Sequence, residues 1–264
     1  MIPWFNINFP PIPFPIIGKL TIHAFGILVA VGILVGLKLT KKRGRELGLV
    51  DENVDSMVTW SLVFGFILAH LFDVFAYQTF GGHPRLIDII NPISGFSSFG
   101  GFSGALIGLF IWCRRHRTPV MPYADSLAYG LATGWMFGRL GCFTAHDHPG
   151  RHTSFFLAVQ YPDGARFDLG LLEALWAAGI ALTFAWLRHR KKQPLGLYVS
   201  LLTLAYAPVR FGLDFLRATD VPEPDPRYFG LTPAQWGCVP VLLAGVLLLR
   251  WTLQNRANPQ SSPS

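Results

Sequence analysis

Charge is scarce in this chain: Asp, Glu, Lys and Arg make up 14% of its 264 residues, against about 25% in an ordinary soluble domain. Half of the sequence, 51%, is hydrophobic, mean hydropathy is +0.39, and no polar half exists from which a separate soluble domain would fold. Cysteine is scarce too. Cys113, Cys142 and Cys238 lack metal-ligand spacing and cannot all pair, which argues against a disulfide framework. Heptads and internal repeats are absent. The opening stretch MIPWFNINFPPIPFPIIGK lacks the basic start and small-residue cleavage site of a signal peptide, and its prolines exclude a spanning helix. It is expected to lie in the outer membrane interface as a segment covering residues 1–19.

What the sequence does have is long apolar runs. Seven windows, at about 20–37, 57–77, 96–113, 122–143, 170–187, 195–217 and 231–250, approach or exceed the roughly 18 apolar residues of a membrane-spanning helix. Such runs are too long and unbroken for barrel strands, and backbone in lipid must satisfy its own hydrogen bonds. The expected fold is therefore all-α: a polytopic integral membrane protein of seven transmembrane helices, folded as one domain over residues 1–264.

Basic residues set the expected orientation. Lys38 to Arg45, Arg114 to Arg117, Arg188 to Lys192, Arg250 and Arg256 include 14 of the 22 lysines and arginines, all on alternate connections. The positive-inside rule makes those connections cytoplasmic. The N-terminus is then outside and the C-terminal tail, 251–264, cytoplasmic. The connections carrying His83, Arg85 and Asp88, then 144–169, then 219–227, face the exterior. The net charge of +7 does not imply nucleic acid, because these residues flank spans where anionic inner-leaflet lipid accounts for them.

Charges inside the spans carry more information, since an uncompensated arginine at mid-bilayer costs about 2.5–3.5 kcal/mol on insertion scales. Arg139 lies between Gly138 and Gly141, small residues that allow close backbone approach. In LAYAPVRFGLDFLR, Tyr206, Arg210 and Asp214 recur at i, i+4 and i+8 on one helix face, and Pro208 interrupts the same span. Two readings stand side by side. Either the arginines snorkel or pair with Glu173 and Asp214 as structural glue, or their guanidinium forks converge on an anion, for which a lipid phosphate is the commonest candidate at that depth. His70 and Asp73, at i and i+3, read equally as a mutually satisfied pair or as a functional one. The glycine- and serine-rich stretch 94–108 suits close helix packing or a backbone lining a headgroup pocket, with Ser103 and Gly104 the positions of interest.

The apolar run around 122–143 ends in GRLGCFTAHDHPGR, residues 138–151. His146, Asp147 and His148 are suitable metal ligands in type, but neighbouring positions seldom aim at one ion and no further histidine follows at useful spacing, so no metal and no other cofactor is expected. A neutral histidine taking a proton from a thiol or hydroxyl, oriented by an aspartate, is one reading of the triplet. A solvated loop turning at Pro149 and Gly150 is the other.

These segments resemble the prolipoprotein diacylglyceryl transferases, bacterial inner-membrane enzymes with seven spans and an outward N-terminus. The resemblance runs from HAFGI at 23 through the last span. GRLGCFTAHDHPG is similar to the family signature GRxGNFxNxExxG in Gly138, Arg139, Gly141, Phe143 and Gly150, with Asp147 in place of glutamate. YxxxRFxxEFxR is matched by Tyr206, Arg210, Phe211, Phe215 and Arg217, with Asp214 again for glutamate. RFDLGLLEA keeps Arg166, Leu171, Glu173 and Ala174 of RHPSQLYEA. The departures are Ser103 at the histidine of HGGLIG, Cys142 and Ala145 at two asparagines, Phe25 at a tyrosine and Phe167 at a histidine.

The resemblance implies transfer of diacylglyceryl from phosphatidylglycerol to the lipobox cysteine of a preprolipoprotein signal peptide, on the extracytoplasmic side of the inner membrane. Arg139 and Arg210 would hold the phosphate. His146 or His148 would act as base in place of the missing family histidine. Tyr206, Ser103, Gly104, Gly138, Gly141, Asp147, Gly150, Glu173 and Asp214 would line the substrate site. The same residues are compatible with a non-catalytic relative that binds phospholipid or lipopeptide, or with a transferase using another acceptor.

Overall fold

A computed structural model describes residues 1–5, 7, 12–14, 18–20, 23–78, 96–190, 193–222 and 224–257. The chain is mainly helical. In order it forms strands β1 (Ile12–Phe14) and β2 (Gly18–Leu20), then helices α1 (Ala24–Glu46), α2 (Asp51–Phe72), α3 (Ser98–His116) and α4 (Val120–Ala145). Strands β3 (Pro149–His152), β4 (Val159–Tyr161) and β5 (Gly164–Asp168) follow, then α5 (Leu169–Arg190), α6 (Leu197–Leu213) and α7 (Pro233–Ala257). A π-turn, Asp73–Gln78, extends α2, and a 3-10 turn, Asp214–Leu216, extends α6. Five of the helices, those within 24–46, 51–75, 169–190, 197–216 and 233–255, are long and apolar enough to cross a membrane. His83, Arg85 and Asp88, Ser94 and Gly95, Lys191 and Lys192 lie outside the described residues.

The structure departs from an all-helical expectation in two small sheets. β1 and β2 pair antiparallel, Ile12 opposite Leu20. β3, β5 and β4 form a second sheet in the connection between α4 and α5. Pro149 and Gly150 therefore begin a strand and do not make the turn read from their composition. They pair with β5, Pro149 opposite Asp168. The chain start joins the same sheet: the Ile2 N–H donates to Ala158 O at 2.8 Å, and Gln160 N–H to Ile2 O at 2.9 Å.

Two compact units can be distinguished, one of residues 1–38, 129–192 and 212–224, the other of 39–128, 193–211 and 225–264. In the second unit, α3 lies on α2 through a glycine seam. A Cβ on Gly104 would run into the Phe64 carbonyl, and one on Gly108 would stand 2.7 Å from the Trp60 carbonyl. Packing thus accounts for most of the glycine-rich stretch, Gly104 included.

A buried ion pair holds the same unit together at its basic end. Arg43 and Asp125, 1% and 0% exposed, meet at 2.8 Å. The other carboxylate oxygen accepts the N–H groups of Tyr198 at 2.8 Å and Val199 at 3.3 Å, capping the start of α6 where orphan donors would otherwise be buried. α7 begins with a capping box: Thr232 Oγ1 accepts from Gln235 N–H at 3.2 Å, and Gln235 Oε1 accepts from Thr232 N–H at 2.9 Å, with Pro233 at the first helical position.

Candidate functional site

α4 delivers the principal residues of the first unit in its last two turns. Arg139 is 3% exposed, and its Nε lies 2.8 Å from Oε2 of the buried Glu173 on α5. Nη1 reaches Cys142 Sγ at 3.9 Å. Gly141 lets the start of α1 approach, since a Cβ there would sit 2.9 Å from the Phe25 ring. Gly138 meets nothing within 4 Å of a notional Cβ, so close packing does not explain its lack of a side chain.

Beyond Ala145 the backbone turns sharply, with His146 at φ 51°, a conformation most side chains avoid. Surrounding groups hold it there. Nδ1 of His146 lies 3.0 Å from Asp168 Oδ2, Nε2 lies 3.1 Å from Phe5 O, and Trp4 stacks on the ring at 4.1 Å between centroids. Asp168 also accepts from Tyr161 OH at 2.8 Å and from Leu171 N–H at 2.9 Å, the latter as N-cap of α5. Burial pushes the Tyr161 phenol well above its usual range, and the Asp168 carboxylate adds to the rise. Both ring nitrogens of His146 thus face oxygens, an arrangement that fixes the loop.

Asp147 and His148 point elsewhere. A ring nitrogen of His148, a carboxylate oxygen of Asp147 and the sulfur of Cys142 lie within 4.8 Å of one another. His148 Nδ1 is 2.9 Å from the Asp147 backbone carbonyl. Desolvation pushes the Asp147 carboxyl up to about 6, more than the facing Arg139 pulls it down. Asp147 also lines a cavity of about 430 Å³ whose walls include Trp4, Phe5, Phe25, Thr144 and His146. The cavity combines aromatic walls with a few polar side chains, Thr144, His146 and Asp147 among them.

Gly150 lies under the same loop. A Cβ there would be 2.7 Å from Phe167 Cβ and 2.9 Å from the Leu216 carbonyl, so the β3 backbone runs against the chain leaving α6. Asp214, 0% exposed, accepts from Arg217 Nε at 3.0 Å. Arg166 clamps the sheet. Its guanidinium donates to Asp163 at 2.6 Å, to Asp220 at 2.8 Å and to the Gly150 carbonyl at 3.1 Å. Those hydrogen bonds pull Asp220 down to about 2 and lower Asp163.

In the second unit, Ser103 is half-buried on α3 beside Gly104. Tyr206 and Arg210 are buried on α6, 8% and 5% exposed, and Tyr206 meets Phe102 edge to face at 5.3 Å. The shared face expected of Tyr206, Arg210 and Asp214 holds for the first two. Asp214 falls in the 3-10 turn after α6 ends at Leu213.

Sequence reasoning missed Asp168, Tyr161, Trp4 and Phe5 around His146, and the Arg43–Asp125 pair. An Asp directly before the apolar run of α5 was a readable cap signal. Arg43 was concealed among five clustered basic residues, with its partner 82 positions away.

A family model described as prolipoprotein diacylglyceryl transferase matches residues 11–251. A phosphatidylglycerol–prolipoprotein diacylglyceryl transferase of Nitratidesulfovibrio vulgaris, strain Miyazaki F, is 31% identical over 255 residues, covering 91% of this chain and 92% of its own. Its counterpart from the Hildenborough strain is 30% identical over 244 residues, covering 89% and 91%. The similarly named protein of Aromatoleum aromaticum is 28% identical over 266 residues, covering 95% and 98%.

Proposed function

This chain belongs to the prolipoprotein diacylglyceryl transferase family, and from that premise we infer that it moves diacylglyceryl from phosphatidylglycerol to the lipobox cysteine thiol of a preprolipoprotein, a step of lipoprotein maturation. The observation that carries the reading is Arg139: a guanidinium 3% exposed at the end of an apolar helix, steadied by Glu173 and followed by a loop that borders a cavity.

The chemistry has two requirements. A thiolate must attack the glycerol carbon, and the phosphate oxygen released from that carbon must be stabilised as glycerol phosphate departs. Arg139 and Arg210 meet the second requirement, because preorganised donors act most strongly where charge accumulates in a site that excludes water. Tyr206, on the same helix as Arg210, orients the headgroup with Ser103. Glu173 keeps Arg139 in place and Asp214 holds Arg217, while Gly138 keeps a side chain out of the path of the substrates and Gly104, Gly141 and Gly150 let the surrounding elements pack closely. The first requirement falls to the signature loop. There His146 sets the loop's shape and His148, with Asp147, takes part in activating the acceptor thiol. The protein is a multi-pass membrane protein with seven spans, N-terminus outside and C-terminal tail in the cytoplasm, and the site opens on the extracytoplasmic side of the inner membrane.

Complementation tests the reading. In a bacterium depleted of its own diacylglyceryl transferase, this chain restores growth and lipoprotein modification. A well-expressed, membrane-inserted chain that fails to do so, and that binds phosphatidylglycerol without transferring from it, is a lipid-binding relative instead.

A further inference from the structure

α1 and α4 run antiparallel along a seam of glycines. A Cβ on Gly36 would stand 3.3 Å from the Gly130 carbonyl and one on Gly32 would stand 2.9 Å from the Gly134 carbonyl, so the helix backbones touch where small residues face each other. Gly141 continues the seam to the ends of both helices, where a Cβ would stand 3.3 Å from the Phe25 carbonyl. His23, the residue before α1, is thereby carried to the signature loop and lines one cavity with Thr144, His146 and Asp147.

The cavity has what a thiol needs in order to react. Trp4, Phe5 and Phe25 give it apolar walls for the residues around an acceptor cysteine. Asp147 stands within electrostatic reach of Arg139, so the enclosure borders the arginine assigned to the phosphate. Of the two imidazoles on it, His146 already has Nδ1 against Asp168 and Nε2 against the Phe5 carbonyl, whereas His23 is exposed. Ser103 offers only a hydroxyl, far too weak a base near neutral pH. The first N–H groups of α1 lack partners within the helix, and Ala24 and Phe25 bring that end to the cavity wall, where it favours negative charge growing on sulfur.

We propose that His23 is the general base that takes the proton from the acceptor cysteine thiol. This assignment rests on the transferase reading and supplies its thiolate: the signature loop contributes Asp147, with His148 Nδ1 3.7 Å from its carboxylate, and the start of α1 contributes the proton acceptor. A ring nitrogen of neutral His23 accepts the S–H proton. The sulfur lone pair forms the S–C bond to the glycerol carbon as the C–O bond to the phosphate breaks, and that electron pair leaves on the phosphate oxygen that Arg139 stabilises. The products are the thioether and glycerol phosphate, and the imidazolium returns its proton to water.

The test compares the full-length wild type with His23→Gln, a change at an exposed residue that keeps a hydrogen-bonding side chain, in a purified-lipid assay with a lipobox peptide and with its selenocysteine counterpart. Near pH 7 the variant transfers to the thiol peptide about 100-fold more slowly, the scale of a lost general base. By about pH 9.5 the gap narrows about tenfold or more, as the free thiol, with a pKa of about 8.5, ionises unaided. The selenol is ionised already near neutral pH, so variant and wild type transfer to it at similar rates there. Arg139→Ala is slow with both peptides, because the departing phosphate needs its partner whichever nucleophile attacks. The other titratable groups against the cavity among the described residues are His146 with Asp168 and Tyr161, and Asp147 with Arg139, Arg217 and His148. They titrate alike with either peptide, so the selenol comparison isolates the proton transfer.

A His23→Gln variant as fast as wild type toward the thiol near pH 7 overturns the base while the transferase reading stands. One that is slow toward thiol and selenol alike, at every pH, overturns it too, by showing that His23 shapes the site without handling the proton. Wild-type protein that inserts and folds but transfers to neither peptide overturns the transferase reading, and the base falls with it.

Discussion

In the proposed mechanism Arg139 and Arg210 hold the phosphate, and the planar fork matters as much as the charge. Arg139→Ala or Arg210→Ala is expected to lower transfer from phosphatidylglycerol by at least about 100-fold, near 2.7 kcal/mol, the scale of one lost transition-state donor. Lysine at either position restores only part of it, because an ammonium cannot bind two oxygens side by side. A purified-lipid assay with a lipobox peptide reads both effects, and alanine variants with unchanged rates would remove the phosphate clamp from the mechanism. Arg43 and Asp125 predict the opposite phenotype. Asp125→Asn leaves the buried guanidinium with only the partly exposed Glu46 as counter-charge, with an expected cost of up to about 3–5 kcal/mol, seen as a lower midpoint of thermal unfolding. The KM for phosphatidylglycerol should not move. Replacing both partners by apolar residues of similar volume recovers much of the loss, since neither charge is then stranded.

Elements were legible from the sequence to the extent that one local quantity decided them. The helices were readable because apolar runs persist over their length, but their ends were not. α1 continues to Glu46, well past the apolar limit near residue 37, since backbone hydrogen bonding does not stop where lysines begin. The strands of three to five residues in 149–168 left no such trace, as they are specified by pairing with each other and with Ile2. Cys142 was discounted because linear spacing counts positions, whereas a helix end followed by a positive-φ residue brings it to Asp147 and His148.

Two further expectations belong at this scale. Gly104→Leu drives a side chain into the Phe64 carbonyl on α2 and should cost about 1–3 kcal/mol through overpacking, measured as earlier thermal unfolding. The Arg166 clamp should respond to acid. Asp220 is held down to about 2, below the roughly 3.9 of an unfolded aspartate. Its contribution is thus complete above that unfolded value and is lost as pH falls through the folded one. Pepsin should spare the 149–168 sheet near pH 4 and cut it near pH 2. In Asp220→Asn the difference between the two pH values should shrink to what the Asp163–Arg166 pair contributes, after allowance for pepsin's own pH dependence on an unstructured peptide. A wild-type sheet cut equally at both pH values would show that the clamp does not hold it.

At the scale of the whole molecule, membrane residence and family follow from composition and motifs, while sidedness depends on where the basic residues fall. Five helices meet the length and hydropathy of a span. α3 and α4, at 19 and 26 residues, are long enough to cross but carry more polar and small residues, and α3 exposes Leu106, Ile107 and Phe110. If both cross, as proposed, there are seven crossings, the two ends of the chain lie on opposite sides and the signature loop is outside. A protein with five crossings would also set its ends apart, so the ends alone do not distinguish the two counts. The connections flanking α3 and α4 do. Phe156, 69% exposed in the sheet region, and Arg115, exposed at the end of α3, are on opposite faces only if α4 crosses. With the three native cysteines replaced, Phe156→Cys should react with a membrane-impermeant maleimide on spheroplasts, and Arg115→Cys only after the membrane is permeabilised. Labelling of both from outside would place α4 on the outer surface without crossing, and protection of both would place the signature loop in the cytoplasm, out of reach of an acceptor presented from the other side.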